Sequence, residues 1–439
     1  MASSNAHQVN GHHEPRQHLK VIIVGAGIAG LALAGLLGHS GHHVVVVEGA
    51  PKIAEVGAGI NCSPNQTRLL SRWGLDGRIR KHTDAMTNIN LRRWEDGQIL
   101  GVSPLMPQVE KRHGAPQYMI HRAELHGALL EDAQTVAEIH VNSMVVSVDF
   151  QKPSITLHDG RVLEADLIIG ADGMKSTCRR LMYEKLGLVD KATPTGDAAF
   201  RACLPVEKVT DPELRAFVTQ LVATRWLGDG RHVQGYPIRH ANLYNLVMCH
   251  PDPGFTEESW TTKASKQDLL DQFGSWDPHR LRKLVDLIPE ENVLIWHLCV
   301  HDPLPTWVMG KVVLLGDACH PMLPYVGQGG AQAIEDVAVL HLAINRITAT
   351  DGLSVALKAY ELARKPRAEH IMSIADVNRG VLHLPDGPEQ QERDRKFGLV
   401  AEGGENPDLL GHAEMQRYLW DHDPEKEFLD NAEGTPAPF

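Results

Sequence analysis

No two of the six cysteines, Cys62, Cys178, Cys203, Cys249, Cys299 and Cys319, form a C-x-x-C pair or stand at zinc-finger spacing. That removes the usual zinc and dithiol-redox motifs, and the thiols read as reduced ones in a cytoplasmic protein. Apolar runs are short. None approaches the roughly 20 residues of a membrane span, and residues 1–18 hold no apolar stretch of the secretory kind. Basic residues are the minority: 43 Lys and Arg against 55 Asp and Glu give a net charge of -12. A general nucleic-acid-binding face is thereby excluded, although a local basic pocket for an anionic ligand is not. The 25 histidines are scattered, and no metal site is expected.

What is present begins near Leu19. Residues Leu19 to Val24 form a short β-branched run of the kind that makes a buried parallel strand. A glycine turn and a small-residue apolar helix follow, then a second buried strand, Val44 to Val47, ending on Glu48. This is a βαβ unit opening a doubly wound sheet. Later apolar strands at Leu167 to Ile169 and Val312 to Leu315 each run into a Gly/Asp turn. Between them, residues such as His232 to His240 alternate in character, which predicts a sheet with two distinct faces. From Ala331 to about Arg379 the pattern is helical.

The turn reads Gly25-Ala26-Gly27-Ile28-Ala29-Gly30, with a strand before it, a helix after it and Glu48 closing the next strand. A lone G-x-G-x-x-G is weak evidence; in this context it marks a dinucleotide site. Gly25 permits the tight turn, Gly27 admits a pyrophosphate and Gly30 lets helix and strand approach. Glu48 would accept from an adenosine ribose hydroxyl and repel a 2′-phosphate.

Two further segments separate NAD from FAD by resemblance. Gly170-Ala171-Asp172-Gly173, followed by Ser176 and Arg179, resembles the second fingerprint of flavoprotein hydroxylases. Gly316-Asp317-Ala318-Cys319-His320-Pro321, followed by Pro324-x-x-Gly327-Gln328-Gly329-Gly330, resembles their third. With Gly25 to Glu48 these match the para-hydroxybenzoate and salicylate hydroxylase family of single-component flavin monooxygenases, over about residues 19 to 395. Fungal members of secondary metabolism look most similar. The resemblance implies bound FAD, NADPH or NADH as transient reductant, and O2 activated as a flavin C4a-hydroperoxide that hydroxylates or epoxidises an aromatic small molecule. It places Asp317 at the ribityl chain and Gly327, Gly329 and Gly330 at the flavin N1–C2 edge. Arg122 falls near the ribityl-phosphate region and Asp172 near both cofactors. Pro324 lies beside the reactive face, and Gly59, in Val56-Gly57-Ala58-Gly59-Ile60, along the flavin.

Substrate-side candidates are Arg201, Tyr236 and His240. Arg201 resembles the arginine that enters the pocket in the fungal enzymes. It could bind a phenolate or carboxylate, or protonate departing peroxide oxygen. Tyr236, Ile238 and His240 share one face of an alternating strand, so Tyr236 or His240 could hold or deprotonate a phenol. His320 reads as a packing residue.

The expected fold is therefore α/β plus β. A discontinuous Rossmann-like FAD domain takes residues 19–84, 115–184 and 293–350, and an inserted β-sheet substrate domain takes 85–114 and 185–292. A C-terminal helical region covers 351–420. Residues 1–18 are expected to be disordered and 421–439 to form a loose tail. Only one G-x-G-x-x-G occurs, which argues against enzymes that hold two dinucleotides, and no W-x-W marks a halogenase. The runner-up is a flavin oxidase or dehydrogenase acting on a small amine, which would turn over without NAD(P)H.

Overall fold

A computed structural model of the chain describes residues 17–53, 58–252, 254 and 262–433. The readings for residues 1–16 and 434–439, and for Val56 and Gly57, fall outside the described residues.

The first sheet has six strands, in the order Val308–Met309, Val312–Leu314, Leu167–Gly170, Lys20–Val24, His43–Val47 and Glu138–His140. Only the Val308–Met309 edge strand runs antiparallel to its neighbour. The central strands are β-branched because both faces are covered, and Val21, Ile22 and Ile23 are wholly buried. Register aligns Val24 with Gly170, and Gly170 with Leu314. The three glycine-bearing turns thus leave the carboxyl edge of the sheet side by side, although they lie far apart in sequence. That edge is where open α/β sheets bind ligands.

Eight strands make the second sheet: Thr262–Lys263, Leu294–His301, Ala192–Pro205, Leu243–Pro251, Arg231–Ile238, Val222–Gly228, Asn88–Arg93 and Ile99–Pro104. Strand alternation gives it two faces, as the sequence pattern predicts. One carries Phe200, Trp226, Tyr244 and Met248 into a core with Leu214, Leu269, Phe273 and Leu284 of the covering helices. The other carries Ala199, Tyr236, Cys249 and Trp296 against Leu323, Tyr325 and Val326, and against Ile371 and Ile374 of the long helix Leu353–Leu382.

Three expectations need correction. Leu294–His301 joins the second sheet, paired antiparallel with Ala192–Pro205, so the boundary expected at residue 293 is misplaced. Its apolar character suits a central strand of either sheet, which is why the sequence does not discriminate. The loose tail expected from residue 421 instead contains helix Pro424–Glu433. Phe428 is buried, Arg72 holds Asp423 and Glu425, and Trp73 donates to Glu425, so the acidic residues are docking groups. Finally, the strand expected to run to His240 ends at Ile238. Arg239, His240 and Ala241 all have φ between 54 and 57°, the left-handed conformation of a turn.

Candidate active site

Gly25 leaves the first strand with a φ of 106°, a conformation that favours glycine. Its N–H donates to the Val47 carbonyl at 2.8 Å. A β-carbon there would sit 2.4 Å from the Ala171 carbonyl oxygen, and one at Gly30 would sit 2.1 Å from that of Gly25. At Gly27 the same atom would meet nothing within 4 Å, so this glycine borders open space at the N-terminus of helix Ile28–His39. That space is a cleft of about 310 Å³ whose walls include Gly25, Gly27, Glu48, Asp172, Gly173 and Lys175. Glu48 accepts from the N–H groups of Ala26 at 2.9 Å and Ala50 at 2.8 Å, which fixes its carboxylate at the cleft wall. Ala29 is buried against the Gly316 turn, where an added β-carbon would lie 3.3 Å from its own.

Arg179 binds the second and third fingerprints together. Almost fully buried, it donates through Nε to Asp190 at 2.9 Å and through a terminal nitrogen to the carbonyls of Asp317 and Ala318, 3.3 Å each. Asp172 accepts from Ser176 Oγ at 2.5 Å and from the Cys178 N–H at 3.0 Å. It therefore holds the start of helix Thr177–Lys185 while lining the cleft. Asp317 is half-buried, and its carboxylate accepts no hydrogen bond from any described residue. Burial raises its pKa, and the charges of His320, Arg122 and Arg179 oppose the rise. A carboxylate held without a donor suits a ligand that brings hydroxyl groups.

The loop after Asp317 turns through Pro324–Val326, and Gly327, with a φ of 58°, donates to the Pro324 carbonyl at 3.0 Å. Helix Gly329–Asn345 starts there, presenting free N–H groups. A β-carbon at Gly330 would press on Ile60 at 3.1 Å, whereas at Gly329 the nearest atom, on Met322, is 3.7 Å away. The Gly59 N–H is held by Asn245 Oδ1 at 2.9 Å. Arg122 opens helix Arg122–Ala133, and its charge acts on both Asp317 and Arg201. A glycine-lined cleft, two helix N-termini and an undonated carboxylate fit a dinucleotide with phosphates at one end and hydroxyls along its chain.

Arg201 and Tyr236 lie on the face of the second sheet that looks toward this loop. Arg201 is opposite Val247, which is opposite Gln234, so Arg201 is level with the residue two before Tyr236. Its guanidinium stands 5.9 Å from the Trp296 ring centre and makes no hydrogen bond or ion pair with any described residue. Burial lowers its pKa; nearby Tyr236 opposes this, and Arg122 adds to it. Tyr236 is buried, and its hydroxyl has no hydrogen-bond partner among the described residues. Burial raises the phenol pKa, so Tyr236 is a donor at neutral pH and not a base. His240 departs from expectation. Its side chain is 62% exposed in the turn beyond the strand, with Nε2 2.9 Å from the Lys81 carbonyl. The left-handed turn rotates it off the face that carries Tyr236.

A family model described as an FAD binding domain matches residues 18–375. The FAD-dependent monooxygenase ntnJ of a Nectria species is 36% identical over 414 residues, covering 94% of this chain and 95% of that protein. The chain belongs to the FAD-dependent monooxygenases. The 3-amino-4-hydroxybenzoate 2-monooxygenase of Streptomyces cremeus is 35% identical over 86% of the monooxygenase and 91% of its own length. A salicylate hydroxylase substrate complex has the same fold, with a TM-score of 0.77 at 23% identity over 96% of this chain and 99% of that one. Among the described residues, no helix is long and apolar enough to cross a membrane.

Behind the Gly316 to Gly330 loop the monooxygenase holds a buried ion network that sequence reasoning missed. Asp336 Oδ2 accepts from the Gly316 N–H at 3.1 Å and lies 2.5 Å from His320 Nε2, and its Oδ1 accepts from Arg364 Nε at 2.8 Å. Glu335 accepts from Arg364 and Arg367, at 2.7 and 2.8 Å, and from Asn65 at 2.6 Å. His320 is thus a brace of the Gly316 turn. The signal was available: two adjacent acids inside an apolar helix, and an Arg364-x-x-Arg367 pair, each need a buried partner.

Proposed function

We propose that the monooxygenase uses NADPH or NADH and O2 to hydroxylate or epoxidise an electron-rich aromatic small molecule that is anionic or becomes so when bound. The observation that carries this reading is Arg201. An arginine stays charged at any working pH, and one that is half-buried without a carboxylate is costly unless a ligand supplies the anion. Tyr236 adds a donor on the same face, and Trp296 adds an apolar platform for a ring.

Gly25, Gly27, Gly30, Glu48 and Asp317 are the residues we assign to FAD, with Arg122 and the Gly327 to Gly330 loop at the flavin end. Bound there, the flavin supplies acceptance of two electrons from the nicotinamide and activation of oxygen. The chain's own residues orient the ring, hold the substrate's charge and keep bulk water from the reacting face.

The test is substrate-dependent NAD(P)H oxidation across a panel of phenols, hydroxybenzoates and indoles, followed by mass analysis of product made under labelled O2. One labelled oxygen atom in the product is expected. Label from water, or turnover without a nicotinamide, would replace this reading with a hydratase or an amine-type oxidase.

A further inference from the structure

Tyr325 follows Pro324 in the loop that we assign to the flavin end, and it is held at both of its own ends. Its carbonyl accepts from Asn378 Nδ2 at 2.9 Å. Its hydroxyl donates to Asp197 Oδ2 at 2.5 Å. The same carboxylate takes two bonds from Arg379, 2.5 Å from Nε to Oδ2 and 3.0 Å from a terminal nitrogen to Oδ1. Asn378 and Arg379 are consecutive residues near the end of helix Leu353–Leu382. That stretch of helix therefore grips the tyrosine directly at its backbone, and at its hydroxyl through Asp197.

Asp197 reaches this position from a bulged strand. Where Ala192–Pro205 pairs with Leu294–His301, Pro194 is opposite Cys299 and Ala198 is opposite His297. Three residues, Thr195, Gly196 and Asp197, thus stand against the single residue Leu298, and a bulge of this kind re-aims side chains. Gly196 has a φ of 81°, and Thr195 Oγ1 donates to the Leu298 carbonyl at 2.8 Å, which pins the bulge. Beyond it the strand is regular through Arg201. Asp197, Ala199 and Arg201 fall on one face by alternation, and Ala199 shares a core with Tyr325. At about 3.3 Å per residue, Asp197 and Arg201 are separated by about 13 Å along one strand.

The bond between hydroxyl and carboxylate has a fixed direction. Burial alone would raise the Asp197 pKa, but the bonds from Arg379 and Tyr325 bring it below the ordinary value. Burial raises the pKa of Tyr325, and Cys249 and Asp197 add to the rise. The tyrosine therefore keeps its hydrogen and the carboxylate accepts it, in a charge-assisted bond that is stronger than a neutral one. Neither group gives up or takes a proton near neutral pH, so what they contribute is geometry.

We propose that Tyr325 is a positioning residue: through Asp197 it ties the Pro324 to Gly330 loop to the strand that carries Arg201, and so sets the spacing between that loop and the substrate. This rests on the reading given above, with the flavin at the loop and the substrate at Arg201. A loop released from Asp197 keeps its glycines and its helix N-terminus, so the cofactor stays bound and reducible. It no longer stands at a set distance from the aromatic ring. The two electrons taken from the nicotinamide then reduce O2 to hydrogen peroxide, with two protons from water, and no oxygen atom reaches the substrate.

Two measurements test this. Hydrogen exchange read by mass spectrometry, on apoprotein and on FAD-loaded enzyme, reports the tether without any substrate. In Y325F, which removes one oxygen atom, and in D197N, a peptide spanning residues 322–333 should exchange about threefold faster or more than in wild type, while the strands of the second sheet keep their protection. Unchanged exchange in that peptide overturns the proposal. So does a rise spread over the whole second sheet, which would make the bond a part of the core and nothing more. If D197N does not fold, Y325F decides alone. Kinetics with 3-amino-4-hydroxybenzoate and salicylate as probes form the second arm. In Y325F the product formed per NAD(P)H oxidised should fall about threefold or more, with KM and FAD affinity changed less than about twofold. The Y325F/D197N double variant should lose no more than the worse single variant, because both act through one bond. Wild-type coupling in Y325F, or additive losses in the double variant, overturns the proposal. If the wild type turns over neither probe, the substrate reading is at fault and hydrogen exchange decides this one.

Discussion

A β-carbon on Gly59 would lie 2.5 Å from Cε2 of Tyr236 and 2.6 Å from its hydroxyl oxygen. Glycine at this point is therefore required by the tyrosine on the facing sheet as much as by a cofactor. Gly59→Ala should displace the Tyr236 ring, which is buried and cannot swing clear without cost. We expect KM for the aromatic substrate to rise about fivefold or more while FAD affinity changes less than about threefold. Steady-state kinetics beside flavin-fluorescence titration separate the two. A larger loss of FAD than of substrate affinity would return Gly59 to the flavin.

Asp317→Ala should weaken FAD binding by about tenfold, or about 1.4 kcal/mol, and leave the apoprotein's melting temperature within a degree or two. The reason is that no described residue donates to this carboxylate, so only a ligand loses by its removal. A variant that binds FAD normally, or that unfolds without it, contradicts the assignment.

Arg201→Met should retain FAD and cut product formation by about tenfold or more, roughly 1.4 kcal/mol of barrier. If the guanidinium acts during oxygen transfer, NAD(P)H oxidation continues and hydrogen peroxide accumulates. If it holds the substrate's charge, KM rises and coupling recovers at saturating substrate. Product yield, peroxide assay and KM together assign the role, and unchanged values in all three remove Arg201 from the site.

Glu335→Gln should destabilise the protein by about 3 kcal/mol, because Arg364 and Arg367 would remain buried with one fewer negative partner. Burial alone would raise the Glu335 pKa, but the two arginines hold it well below the usual glutamate range. A depressed pKa means that its stabilisation is complete at neutral pH and fades only as pH falls through and below the ordinary glutamate value. Melting curves of wild type and variant should differ most near pH 7 and converge toward pH 3, values taken about the unperturbed glutamate pKa. Parallel curves across that range refute this account.

The cofactor half of the molecule was legible because its signals are local. A glycine turn, an apolar strand and the residue that closes it occupy a few consecutive positions, so Gly25 to Glu48 and Gly316 to Gly330 announced themselves. Tyr236 was placed on a strand face by alternation, but that Arg201 shares the face follows only from the cross-strand register through Val247 and Gln234. What failed was not local. His240 was assigned by extending an alternation two residues past Ile238, where the backbone turns left-handed. Leu294–His301 could belong to either sheet by composition. The Glu335, Asp336, Arg364 and Arg367 network joins residues that no sequence window contains together.

The alignment of Val24, Gly170 and Leu314 on adjacent strands also sets the order of events during synthesis. The middle strand of the trio is made long before its neighbour at Val312–Leu314 leaves the ribosome, and helix Gly329–Asn345 comes later still. A nascent chain therefore exposes an unfinished sheet edge through most of its translation, and such an edge invites wrong pairing. FAD held at the Gly316 turn would meet the last strand only after more than two thirds of the 439-residue chain exists. Flavin supply during expression should accordingly govern yield of native protein, acting as a late folding partner for the whole first sheet.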